Sequence, residues 1–353
     1  MIGPPAAVSA PTGSMAPVAS LSDARWSSAV GEAAWIGGRL APFEVRWVAS
    51  VIPGGFEAYA RVLHPASVRA PGEGAPVRWR DVAAWSGGSV DRGTQFHSIA
   101  LPPVRPAGEP PWRGQGPLTG TPYPPDAAVL VEVLRAATTT PERCCFCLWD
   151  GYGWERGRNL LTRRGEPPVR LPGPIPERVL TGPRVRLPHR DYLLYTGPAE
   201  AVFAPLLLGE RHQQAANLWW PADRAWCVAS ETDLAWTYVG GTAAAIDRLL
   251  GDARVEAVPA AADDPLTRVE AWVQRWVDEA TEALLATGRA TIATSMGSLE
   301  ALLERPRGRR PGRLRIHRDG WSADTVVRHA GKEGLRRAVS SYVTHAVIEL
   351  VGG

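Results

Sequence analysis

Lysine is almost absent from this 353-residue chain: Lys332 is the only one, and the other formally basic side chains are arginines. A GC-rich coding bias explains this more simply than selection for guanidinium chemistry, so arginine enrichment alone carries no functional weight. Cysteine is scarce as well. Of the four, Cys144, Cys145 and Cys147 crowd into four positions, which excludes a disulfide framework and points to a reducing cytoplasm. No apolar run approaches the roughly 20 residues that cross a bilayer, so no membrane partner is expected. The opening "MIGPPAAVSAPTGSMAPVASLS" lacks a basic n-region and a continuous apolar h-region, so it does not read as a signal peptide. Residues 1–22 read as a disordered Pro/Ala/Ser leader, with Met1 or Met15 as the start.

The usual catalytic signatures are missing too. The seven histidines never stand three or four residues apart, so no helical metal site or H-E-x-x-H pattern exists. G-x-S-x-G is absent. Cys144 and Cys147 match C-x-x-C, but on a strand they face opposite ways, and no second ligand pair accompanies them. "DGYGW" is not followed by a helix, and "AGKEG" lacks the rest of a phosphate loop. Neither a metal nor a cofactor is expected. "YVGGTAAAI" places two glycines before a helix start, where an anion can bind, but a tight strand-to-helix turn explains it equally.

What the chain does have is a 45% hydrophobic, 21% charged composition typical of a folded protein, and fifteen tryptophans. The net charge of +3 is unevenly spread: from Arg305 onward eleven basic residues face four acids, leaving a modestly acidic body and a basic tail. "RPRGRRPGRLRIHR", with Arg307, Arg309, Arg310 and Arg313, is the strongest charge run and the candidate for polyanion contact. No aromatic alternates with these arginines, so nucleic acid is not the favoured partner.

Hydrophobic periodicity predicts a helix from Asp23 to about Trp35 and a hairpin around Gly54-Gly55. A brief helix is expected in "VRWRDVAAWSGG", and a mostly buried one over Ala127–Ala137. "CCFCLWDG" and "RDYLLYTG" read as strands. Thr242 and Gly251 bracket a short helix, and a longer helix starts at Asp264-Pro265 and closes at Gly288. A hairpin turns at Met296-Gly297, "GRLRIHRDGW" adds a strand, and the spacing of Leu335, Val339, Tyr342, Ala346 and Leu350 predicts a C-terminal helix. The expected class is α+β, with mainly antiparallel sheet packed against several helices. The organisation reads as the leader, a globular body over 23–305 with a candidate subdomain boundary in the 101–125 loop, and a basic segment with helix over 306–353.

The densest stretch is "NLWWPADRAWCVASETDLAWTYVGG", Asn217 to Gly241. If residues 224–239 form one extended ribbon, Trp226, Val228, Leu234, Trp236 and Tyr238 share an apolar face turned to the core. Glu231 and Asp233 then lie on the other face, roughly 7 Å apart at Cα. Such a pair can hold a cation or divide into acid and base. Alternatively, Ser230 to Asp233 is a hairpin tip or a solvated face paired with arginines, which is the favoured reading. Trp219-Trp220-Pro221 lies outside the alternation, and at least one of its rings is a candidate for exposure and stacking.

This stretch, together with "FEAYARVLHPA" and "CCFCLWDGYG", resembles a group of uncharacterised proteins from high-GC actinobacteria over roughly Phe43 to Pro306. The resemblance implies a bacterial, cytoplasmic origin and no particular activity. Two functional expectations remain beside polyanion binding. The first is a non-enzymatic binding or interaction protein that recognises a protein or small ligand through Trp219, Trp220 and Arg224. The second is a hydrolase-like enzyme using Glu231 and Asp233, with Asp150, on a carbohydrate or phosphorylated substrate. Oligomeric state is not legible.

Overall fold

Strands whose side chains are apolar on both faces must be covered on both sides, and this requirement organises the fold. The computed structural model describes residues 24–42, 47–67, 75–100, 107–108, 110–112, 116–152, 159–160, 169–170, 175–188, 190–203, 215–266, 271–294, 297–304, 312–318, 321–327 and 339. In chain order the first elements are β1 (Arg25–Trp26), α1 (Ala34–Gly37), β2 (Ala58–Leu63), β3 (Ala66–Ser67) and β4 (Pro76–Val77). Next come α2 (Trp79–Ser86), α3 (Phe96–Ala100), α4 (Pro124–Arg135), β5 (Cys144–Trp149), β6 (Asn159–Leu160), β7 (Val169–Arg170) and α5 (Glu177–Leu180). They are followed by β8 (Val185–Arg186), β9 (Asp191–Gly197), β10 (Leu218–Pro221), β11 (Cys227–Ala229), β12 (Trp236–Gly241), α6 (Ala243–Leu250) and β13 (Ala257–Ala260). The last described elements are α7 (Ala271–Thr287), β14 (Arg289–Thr294), β15 (Gly297–Glu304), β16 (Gly312–Arg318) and β17 (Trp321–Val327).

The main sheet runs β1-β9-β5-β10-β11-β12-β2-β13, with β8 also paired to β9, and its pairs are antiparallel. A second antiparallel sheet, β14-β15-β16-β17, is a simple meander. The class is therefore α+β. Among the described residues no helix is long and apolar enough to cross a membrane.

One core lies on the side of the main sheet that carries Tyr59, Leu63, Trp220, Cys227, Trp236 and Tyr238, under α2 and α3. The other lies beneath α4 and α6, where Phe146, Trp219, Trp226, Val228 and Val239 meet Leu130, Leu134, Ile246 and Leu249. Long-range polar contacts fix the covering helices. Glu256 accepts from the backbone N–H groups of Trp79 and Arg80 at 2.7 and 2.8 Å, capping α2 from far along the chain. Arg78 joins that helix start to α4 through a bidentate pair with buried Asp126, at 2.7 and 2.8 Å. α6 begins as expected, with the Thr242 hydroxyl accepting from Ala245 N–H.

Several predicted elements are in place: α2 with Gly87 in the left-handed conformation at its end, α4, β5, β9, α6, the β14–β15 hairpin and β16. Three differ. Residues 23–35 do not form one helix, because Arg25–Trp26 pairs with β9 before a 3-10 turn at Val30–Ala33 leads into α1. The hairpin around Gly54-Gly55 has only its second strand: Val48–Ser50 is a 3-10 turn, and β2 pairs with β12 and β13 instead. α7 does not begin at Asp264-Pro265: Pro265 bridges Trp47, and the Asp264 carboxylate accepts from Ala261 N–H and pairs with Arg92. α7 is described from Ala271 and closes at Gly288, whose φ of 74° is the left-handed value that favours glycine. The predicted C-terminal helix lies outside the described residues except Val339, which is helical and buried. In the 101–125 stretch, Trp112 packs edge-on against Trp85 and Phe96, both at 5.6 Å.

Gly240 on β12 is the tightest backbone approach in the central sheet: a Cβ there would lie 2.5 Å from a Phe56 ring carbon and 2.9 Å from Tyr59. Gly240→Ala is expected to displace Phe56 and destabilise the protein by roughly 1–3 kcal/mol, as overpacking does. At Gly241 the nearest atom is 3.4 Å away, and Gly241→Ala should cost less. Urea unfolding of the two variants compares them directly, and equal midpoints would contradict this packing.

Candidate functional site

The stretch Asn217–Gly241 is not one ribbon but three antiparallel strands, β10, β11 and β12. The expectation that Trp226 and Trp236 share a face is therefore corrected. Pairing stops at Ala229, a turn at Thr232-Asp233 reverses the chain, and the two rings enter different cores. Trp219 and Trp220 follow the strand alternation and are each 1% exposed. They need no bend to be buried together, because each enters the core on its own side of the sheet. Trp219 stacks on Phe146 at 6.2 Å and meets Trp226 edge-on at 5.0 Å. Trp226 also donates its indole N–H to the Leu134 carbonyl at 2.8 Å. Neither Trp219 nor Trp220 offers a ring face to a ligand, so both are removed from the binding site predicted for them.

Arg224 fares differently. It ends the β10 turn with a φ of 58°, is exposed, and places its guanidinium 5.7 Å from the ring of Trp35. Arg39 approaches the same ring at 5.5 Å. Trp35 is half-buried, edge-on to Trp220 beneath it at 6.1 Å and to Phe56 at 6.3 Å. The accessible indole at this corner is thus Trp35, from a segment expected to be plain helix, with two arginines around it.

The carboxylates of the hydrolase reading are engaged. Glu231 precedes the reversal at Thr232-Asp233 and Asp233 belongs to it, so the hairpin-tip alternative is the one realised. Arg190 donates to both, with Nε 2.8 Å from Glu231 and Nη2 2.9 Å from Asp233, and it also bonds Glu231 through Nη2. The same guanidinium lies 4.5 Å from the Trp149 ring. Glu231 is buried, whereas the Asp233 side chain is 80% exposed. Asp150 pairs separately with Arg184 at 2.8 Å. Arginine-bound acids at a strand reversal tie loops together, and their acceptor positions serve the protein rather than a substrate.

A constellation that superficially resembles a catalytic one lies deeper. Ser230 Oγ is 2.7 Å from Thr237 Oγ1, which is 2.8 Å from His64 Nε2. His64 Nδ1 meets the Leu118 carbonyl at 2.7 Å, and since a carbonyl only accepts, Nδ1 carries the proton and Nε2 accepts from Thr237. Ser230, Thr237 and His64 are all buried, so the chain of hydroxyls satisfies internal polar groups and joins β2, β12 and the 118 loop.

Of the polyanion candidates, Arg307, Arg309 and Arg310 lie outside the described residues. Arg313 is exposed at the start of β16, opposite Glu304 on β15. With Arg289, Arg315, Thr287 and Leu302, that pair lines an open groove of about 320 Å³. The three arginines share the groove with Glu304, which dilutes its positive charge. Among the described residues, no group of three His, Cys, Asp or Glu is placed to hold a metal ion. The four cysteines are free and buried, and burial pushes the Cys144 thiol up to about 12 and Cys145 to about 11. They are therefore poor nucleophiles.

Comparison of the chain with protein-family models, with curated proteins and with solved structures finds no match in any of the three. The site must be read from its own chemistry.

Burial lowers the His64 pKa from 6.5 to about 4, so the native state resists a proton that the unfolded chain accepts. The stability this group contributes is complete above pH 6.5 and is lost as pH falls toward 4. Urea midpoints recorded across that window should fall less steeply for His64→Asn than for the wild type. Parallel pH profiles for the two proteins would show that His64 is not held neutral in the fold.

Proposed function

We propose that this chain is a binding protein, not an enzyme, and that it docks an acidic segment of a protein partner at the Trp35–Arg39–Arg224 corner. The observation that carries the reading is the half-buried Trp35 ring approached by two exposed guanidiniums. Tryptophan and arginine dominate interface energetics, since each combines large contact area with directed polarity. Here the indole is braced from below by Trp220 and from the side by Phe56, so little side-chain freedom remains to be lost on binding. The two cations favour an anionic partner, and in a protein segment the anionic groups are carboxylates. Arg224 thus keeps the role expected of it, with Trp35 replacing Trp219 and Trp220. The hydrolase reading is not favoured, because Arg190 already engages Glu231 and Asp233.

Poly-L-glutamate is a suitable probe. It is expected to bind the wild-type chain with an affinity that weakens as salt rises. The Arg39→Glu/Arg224→Glu double variant should weaken binding at least tenfold while keeping the wild-type near-UV circular dichroism spectrum. Undiminished binding by a folded double variant, or no binding by the wild type, would overturn the proposal.

A further inference from the structure

Arg61 stands in the middle of β2, on the face that also carries Tyr59 and Leu63, and only 2% of it is exposed. It sits opposite Tyr238 on β12 and Val258 on β13. Its guanidinium carbon is 3.8 Å from the centroid of the Trp236 ring and 5.5 Å from that of Trp79. At 3.8 Å the guanidinium is in direct cation–π contact with the indole ring of Trp236. The two tryptophans meet edge-on at 6.3 Å, forming a corner around the cation.

The hydrogen bonds of this arginine are incomplete. Nη1 donates to the Arg92 carbonyl at 3.1 Å. Nε and Nη2, both buried, meet no acceptor among the described residues, and the indole N–H of Trp236 has only a contact with the Tyr238 hydroxyl that falls short of hydrogen-bond geometry. Nε and Nη2 form one edge of the guanidinium, the fork that matches a two-oxygen group. Elsewhere the chain fills the same edge with carboxylate. Arg92 sends Nε and Nη2 to Asp264, Arg190 sends them to Glu231, and Arg254 sends them to Asp252 at 3.0 and 2.7 Å. Tyr238, Asp91 and Asp264 act on Arg61 electrostatically but supply no oxygen to its open edge. Burial brings its pKa down to about 10, which still leaves a full positive charge at neutral pH. An unpaired buried cation with two unused donors is unfavourable, and a bound anion removes both penalties at once.

We propose that Arg61 anchors a buried site for the carboxylate of a small organic acid. Nε and Nη2 take its two oxygens, and the indole N–H of Trp236 supplies a third donor. A carboxylate presents just two oxygens to that edge, whereas a phosphate carries further charged oxygens that the surrounding ring faces of Trp79, Trp236 and Phe96 leave without donors. The ligand's apolar part then meets Trp79, Trp236 and Phe96, which packs on Trp79 at 5.3 Å. Admission passes the cover made by Arg92, whose carbonyl holds Nη1 and whose exposed guanidinium closes onto Asp264. That latch is a surface ion pair, a contact weak enough to open. This site is independent of the Trp35 corner.

Benzoate is the probe, with acetate, inorganic phosphate and chloride compared at equal ionic strength on the full chain. Benzoate is expected to raise the melting temperature saturably and to change tryptophan fluorescence, with acetate weaker and phosphate no better than chloride. Arg61→Met, which replaces the buried charge with a side chain of similar length, should melt no lower than the wild type and lose the benzoate response. Trp236→Phe keeps the wall and removes the third donor; it should raise the benzoate Kd at least threefold, which keeps the idea testable if Arg61→Met fails to fold. An equal response to phosphate, a benzoate response that survives Arg61→Met, an unchanged Kd in Trp236→Phe, or no saturable benzoate response would each overturn the proposal.

Discussion

Everything in this fold follows from burying both faces of its central strands. β10, β11 and β12 are buried at every position, so neither face is left for water, and each tryptophan ring removes on the order of 200 Å² from solvent. Helices α4 and α6 cover one side, and α2, α3 and the segment around Trp112 cover the other. Such a sheet has no free polar surface. Its internal polar groups must find partners within the protein, as Asn217 does with the Ser230 carbonyl and the Trp149 amide at 3.0 and 2.9 Å. The indole N–H groups of Trp219 and Trp236 fall short of that standard, and so does Arg61, a buried cation left with one edge unused.

The same constraint places the residues that look most distinctive out of a ligand's reach. The tryptophan-dense motif is core, and its chemistry is packing. What reaches solvent lies at the margins of the sheet, where Trp35 covers Trp220 and where Arg190 binds Glu231 and Asp233 beyond the end of β11. The binding role proposed above draws on this layout, in which a two-sided core holds a small number of surface and near-surface arginines in fixed places.

Much of the local structure was legible in the residues. Thr242 and Gly251, Gly87, Pro124 and the β-rich run of Cys144–Trp149 announce their elements by capping, chain termination and propensity. The errors share a cause, which is that tertiary pairing overrides local pattern. Arg25-Trp26 has helical neighbours but gains hydrogen bonds on the edge of β9, and Val48–Ser50 has strand composition yet coils into a 3-10 turn whose Val48 and Ala49 N–H groups donate to the Asp264 and Ala262 carbonyls. A two-sided sheet also defeats the alternation argument, because apolar residues on both faces leave no phase to read. Of the candidate site residues, Arg224 could be placed at an accessible corner and Glu231 and Asp233 at a reversal, whereas Trp35 and Arg190 depend on contacts between distant segments. Arg61 left one trace: a charge in "AYARVL" on the row otherwise occupied by Tyr59 and Leu63.

The cysteines test the two-sided burial most directly, because they report on both cores without any substitution. Cys144 faces one core, and Cys145, Cys147 and Cys227 face the other. Titration of the native protein with a thiol reagent, with modified positions mapped by mass spectrometry, is predicted to leave all four unmodified until global unfolding, when they react together. Rapid labelling of Cys144 alone, or of Cys147 and Cys227 alone, under native conditions would show that one face of the sheet is open and would contradict the account.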